Sequence, residues 1–155
     1  MDELSVREVE RVVRTAVSAL AERPQQEVRS VLDGFPRGAC DAASYALGVV
    51  LDDLGLGSWH RVTCTDPERW SNAHTWLELR DSRGCVVLVV DATVHQFAEL
   101  ASGPYIGPGP GPAQRRFSRP AKDYASTSLP SFEIGVTELE ALRVAREALI
   151  GEAEA

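Results

Sequence analysis

Excess basic charge, long apolar runs and paired cysteines are all missing from this chain. Its 155 residues carry 16 Lys and Arg against 23 Asp and Glu, a net charge of −7. That balance lacks the electrostatic footprint of a nucleic-acid binder, so no nucleic acid is expected as partner. No stretch approaches the roughly 20 consecutive apolar residues of a membrane-spanning helix, and no membrane partner is expected. The acidic start Met1-Asp2-Glu3 runs straight into a helical pattern, unlike the basic and then apolar leader of a secreted protein. Only three cysteines occur, Cys40, Cys64 and Cys85. A sparse, odd set argues for free thiols in a reducing compartment, which makes the cytoplasm the expected setting. Neither C-x₂-C nor H-x₃-H spacing appears, so neither a metal nor another cofactor is expected.

What is present suits one domain spanning 1–155, with 44% hydrophobic residues to build a core. Residues 5–22 predict a helix opened by a Ser5-x-x-Glu8 capping box, with Val6, Val9, Val13, Ala16, Val17 and Leu20 on its apolar face. Pro24 starts a second short helix to about Leu32, stopped by Gly34. A third runs from about Cys40 to Leu54, with Gly55 as its stop. Strands are expected over 59–65, 73–80, 85–92 and 131–136. The second and third form a hairpin around Asp81-Ser82-Arg83-Gly84. Val86 to Val90 is apolar at every position, as in a strand buried on both faces. The segment from Ala101 to Pro130 is expected to be irregular, because its prolines lack sheet donors. Within it, the Gly/Pro-rich loop at 103–120 carries the apolar anchors Tyr105, Ile106 and Phe117. Thr137-x-x-Glu140 opens a last helix to about Ile150, with Leu139, Leu142, Ala145 and Leu149 turned inward. Helices, an antiparallel sheet and a closing helix make an α+β class.

Chemistry gathers at Cys40, His74 and Asp91. Cys40 follows Phe35-Pro36-Arg37-Gly38 at the start of the third helix, where unpaired N–H groups favour a thiolate and can donate to an oxyanion. With Arg80 paired to Cys85 across the turn, His74 lies directly opposite Asp91 on one face, with Cβ atoms roughly 5 Å apart. A bulge in the hairpin moves that register by one and reverses the face. Asp41, beside the thiol, opposes a thiolate unless it turns outward. Gly38 allows close approach to a substrate, Arg37 offers a carboxylate partner, and Trp76 shares the His74 face; these three are the candidate substrate-binding residues. Glu78 is expected to be solvated, and Cys64 and Cys85 to pack inside strands. His95 competes with His74 as base but follows the strand in a turn. Asp91 has a second use as the cap of the turn it begins, through Asp-x-Thr.

Gly-x-Cys at a helix start, His-x-Trp-x-Glu in a strand and Asp at the end of the next strand resemble the transglutaminase-like branch of the papain-like thiol enzymes. The match spans residues 34–97. It implies a papain-like core in which Cys40 is the nucleophile, His74 the base and then acid, and Asp91 the orienting group. It further implies hydrolysis, deamidation or acyl transfer through a thioester, on a peptide, protein or small-molecule amide or acyl substrate. Two family features differ here. Asp41 stands where papain-like proteases carry Trp, and the nearest upstream glutamines, Gln25 and Gln26, are distant for an oxyanion donor. The rival expectation is a non-catalytic protein that binds a partner on the same fold through the 103–120 loop. Oligomeric state is left open by the sequence.

Overall fold

The computed structural model describes residues 1–26 and 29–155. Among the described residues, three α-helices and a five-stranded antiparallel sheet form an α+β arrangement. Helix α1 (Glu3–Glu22) places Val9, Val12, Val13, Ala16, Val17 and Leu20 on one buried stripe. Its cap is Asp2, whose Oδ1 accepts from the Ser5 N–H at 2.8 Å, rather than the expected Ser5. The expected helix from Pro24 reduces to a 3₁₀ turn at Val31–Gly34, capped by Ser30; residues 27 and 28 lie outside the described set. Helix α2 (Cys40–Asp53) is buried on nearly every side, from Ala42 through Gly48 and again at Val50 and Leu51. A helix apolar all round belongs in the middle of a core. Gly55, at φ +68°, follows its end.

Strands β1 (Trp59–Asp66), β2 (Arg69–Arg80), β3 (Val86–Asp91), β4 (Tyr105–Gly107) and β5 (Arg119–Ala125) lie in the order β4-β3-β2-β1-β5. The last two correct the expectation of irregular chain from 101 to 130. Tyr105–Gly107 pairs with Val89–Asp91 for only three residues, between Pro104 and Pro108. Strand β5 tolerates Pro120 because it is an edge strand, with the register shifting between Thr63 and Cys64 beside it. The strand expected at 131–136 is instead a 3₁₀ turn at Ser131–Glu133. Helix α3 (Val136–Glu154) is then capped two positions early, at Gly135, where the Glu138 carboxylate accepts from the Gly135 N–H at 3.0 Å. Glu140, expected to cap it, is held by Arg23 and Arg143 instead. Leu139, expected inside, is 54% exposed.

Alternation along the strands divides the core in two. Trp59, Leu77, Leu79, Leu88 and Val90 face the three helices. Val62, Cys64, Trp76 and Val89 face the other way and are covered by Val94, Ala113 and Phe117 from the long connection after β3. Val86 and Val87 are exposed, so β3 is buried on both faces only from Leu88 to Asp91.

Candidate active site

His74 sits on the sheet face away from the helices, opposite Cys64 in the β1–β2 ladder. The β2–β3 ladder covers Leu77–Arg80 alone, so His74 lies beyond its end on that side. This leaves room for the start of α2 to reach the imidazole from the helical layer. The hairpin register differs from the expected one by two residues. Asp81 N–H donates to the Cys85 carbonyl at 2.9 Å, closing a three-residue turn at Gly84 (φ +81°), which puts Arg80 opposite Val86. A second slip between Leu79 and Arg80 leaves Val87 without a partner and pairs Leu79 with Leu88. Each slip reverses the face and the two together restore it. Asp91 therefore reaches His74 along a diagonal instead of straight across. The Nε2 of His74 meets Asp91 Oδ2 at 2.8 Å and Oδ1 at 3.0 Å, with the two side chains 0% and 3% exposed.

That pairing fixes the tautomer. With Nε2–H donated to the carboxylate, Nδ1 is left for Cys40 and for the Gln96 amide, whose Nε2 stands 3.4 Å away. Burial alone disfavours a charged imidazole, but the Asp91 hydrogen bond and the adjacent Cys40 sulfur outweigh it and push the His74 pKa up to about 9. Asp91 also caps its own turn, its Oδ1 accepting from the Thr93 N–H at 3.3 Å. Thus both uses of Asp91 read from the sequence occur at once.

Cys40 is the first residue of α2 and is half-buried. Asp41 is drawn off it: the Thr75 hydroxyl, on the helical face, donates to Asp41 Oδ1 at 2.7 Å and is itself bonded to Thr63 at 2.8 Å. The Ser44 hydroxyl donates to the Thr75 carbonyl at 3.4 Å and ties the same turn of α2 to β2. Gly38, at φ +68°, occupies a backbone conformation that side chains rarely adopt. Its N–H donates to Gln96 Oε1 at 3.4 Å. Arg37 is exposed on the turn before it.

Trp76, expected to meet substrate, is 2% exposed, and its indole N–H donates to Glu78 at 3.0 Å. It backs the imidazole, with ring centroids 6.0 Å apart, and is sealed from solvent. Glu78, expected to be solvated, is buried and accepts from Trp76, Arg80 and Gln114. The 103–120 loop supplies Phe117, whose ring lies 5.4 Å from His74 and 5.2 Å from Phe97. Ile106 packs on the helical side and takes no part in this wall. His95 turns edge-on to Phe35 at 6.1 Å, and burial holds its pKa below the ordinary value. It does not share Asp91 with His74 through a hydrogen bond. Burial likewise pushes the Cys64 thiol up, while Cys85, expected inside a strand, is exposed in the turn.

The sequence reading overlooked Gln96, Phe97 and the Thr75–Asp41 contact. A single glutamine in a 3₁₀ turn has no periodicity to mark it. Among the described residues, no cluster of three or more His, Cys, Asp and Glu side chains is placed to hold a metal ion, and no helix is long and apolar enough to cross a membrane. Compared with known proteins, the chain matches no family model, no curated protein and no solved structure.

Proposed function

We propose that this chain is a thiol-dependent enzyme that cleaves or transfers acyl groups, built on a core resembling the transglutaminase-like branch of the papain-like enzymes. One observation carries the reading: a fully buried imidazole is held by Asp91 through one nitrogen and has as its other hydrogen-bond partner a cysteine at a helix start. A core histidine with a purely structural role has no need of a thiol on its second nitrogen.

In the reacting pair, His74 Nδ1 holds the Cys40 proton and Asp91 stabilises the imidazolium, leaving a thiolate. The sulfur attacks the carbonyl carbon, forming a C–S bond as the carbonyl electron pair moves to oxygen. The tetrahedral adduct collapses, the leaving amine or alkoxide takes the proton from His74, and a Cys40 thioester remains. Water or an amine then gives up a proton to His74, attacks the thioester and releases the thiol. Water yields hydrolysis or deamidation, and an amine yields transfer. The substrate class is an amide or acyl carbonyl in a peptide, protein or small molecule. Arg37 and Gly38 stand at the approach to the thiol, and Trp76 supports the base from behind.

Acyl-enzyme trapping tests this. After brief exposure to p-nitrophenyl acetate and an acid quench, peptide mass analysis should find acetyl on Cys40 far ahead of Cys64 and Cys85, and Cys40→Ser should abolish it. Acetylation spread over surface lysines with Cys40 untouched would overturn the reading.

A further inference from the structure

Acyl chemistry at Cys40 needs two hydrogen-bond donors for the developing oxyanion. One is the Cys40 backbone N–H, at the head of α2, where Ala39 carries no capping side chain. We propose that the second is the side-chain amide of Gln96, reached from the turn that follows Asp91. This rests on the thiol-enzyme reading above and adds a catalytic residue to it.

The position of Gln96 sets it apart from an ordinary surface glutamine. Its Oε1 is tied to the Gly38 N–H, two residues before the thiol, and its Nε2 lies against the thiol-side nitrogen of His74. The same Nε2 is 3.3 Å from Thr93 Oγ1. All three contacts, at 3.4, 3.4 and 3.3 Å, are longer than a well-made N–H···O bond. The amide is aimed by three partners and held strongly by none. A donor held this way reorients at little cost.

The protonation of the pair leaves it free. With the Cys40 proton on His74 Nδ1 and Nε2–H donated to Asp91, both ring nitrogens are donors, so the Gln96 N–H beside Nδ1 meets no acceptor on the ring. That N–H stands ready when the attacked carbonyl oxygen gains its negative charge nearby. Gln96 would therefore be a donor with no strong resting partner, held beside the sulfur at which the oxyanion forms.

Two reagents separate this role from simple positioning of His74. Iodoacetamide alkylates a thiolate by displacement of iodide and builds no oxyanion. p-Nitrophenyl acetate acylates it through a tetrahedral oxyanion. Both rates at Cys40 are measured on the full chain for wild type, Gln96→Ala and the length-matched Gln96→Met, with thermal unfolding as the check on folding. The expected result is an acetylation rate lowered about tenfold or more in both variants. Alkylation should stay within about threefold of wild type, with its pH profile unmoved. Unchanged acetylation would overturn the proposal, and so would an equal fall in both rates, since that marks Gln96 as a positioning residue for His74. A wild-type Cys40 inert to both reagents would instead overturn the thiol-enzyme reading beneath it.

Discussion

Burying an imidazole favours its neutral form, yet His74, at 0% exposure, keeps its proton up to a pH of about 9 because Asp91 and Cys40 stand on its two nitrogens. Of the groups that raise it, the hydrogen-bonded Asp91 carboxylate acts most strongly. In Asp91→Asn the carboxylate becomes a neutral amide that no longer favours the imidazolium. An NMR titration of the His74 ring should then show its midpoint well below the wild-type value, and acetylation of Cys40 should fall by on the order of 10³-fold. An unmoved midpoint would mean that Asp91 serves only the Thr93 turn. Cys40 and Asp91 could be read from the sequence because each sits where an element begins or ends, and His74 because it lies in an alternating run that marks a strand, all of them local signatures. The burial of Trp76 and Glu78 could not be read, because it depends on Gln114 and Phe117 closing over that face from 36 and 41 residues downstream.

Elements meet closely in two places that mutation can probe. Gly48 lies mid-helix in α2, where an added Cβ would come within 2.5 Å of Ser126 Oγ and 2.8 Å of its Cβ. Since a serine side chain is too short to swing clear, Gly48→Ala should push α2 away from the Ser126–Ser128 turn. It should destabilise by about 1–3 kcal/mol despite the better helix propensity of alanine. A thermal midpoint equal to or above wild type would show that the turn yields freely. Phe117 is 1% exposed and walls His74 together with Phe97. Phe117→Ala should cost about 3–5 kcal/mol in denaturant unfolding. The milder Phe117→Leu, if it folds, should retain Cys40 alkylation. The hairpin illustrates why boundaries are easier to read than registers. Asp-Ser-Arg-Gly announces a turn, but Gly84 in the left-handed region shortens it to three residues, and nothing in Val86-Val87-Leu88 marks which valine is extra.

At the scale of the whole molecule, stability should be bounded on both sides of neutral pH. Lys122 and the buried Arg61 hold Glu133 below the ordinary carboxylate range, and the Ser30 N–H and Arg23 do the same for Asp33. Folded groups with depressed values release protons that the unfolded chain still binds. Their contribution is therefore complete above about pH 4.3 and is lost as pH falls through the folded values. His74 acts with the opposite sign: folded it titrates at about 9, against 6.5 for the free side chain. Its contribution is complete below about 6.5 and is lost as pH rises through 9. The difference in unfolding midpoint between wild type and His74→Gln should accordingly shrink between pH 6.5 and 9.5; a constant gap would contradict the assignment. The α+β order was legible because helical and alternating patterns are local. Strands β4 and β5 were not, because an edge position and a three-residue pairing tolerate the prolines that local rules count against them. The His74 proton also governs reactivity, and there the central claim is most exposed. Iodoacetamide labelling, resolved by site and followed from pH 5 to 9, should show Cys40 reacting well ahead of the exposed Cys85 at pH 6, with that lead lost in His74→Ala. Cys40 labelling no faster than Cys85, and indifferent to loss of the imidazole, would contradict the account.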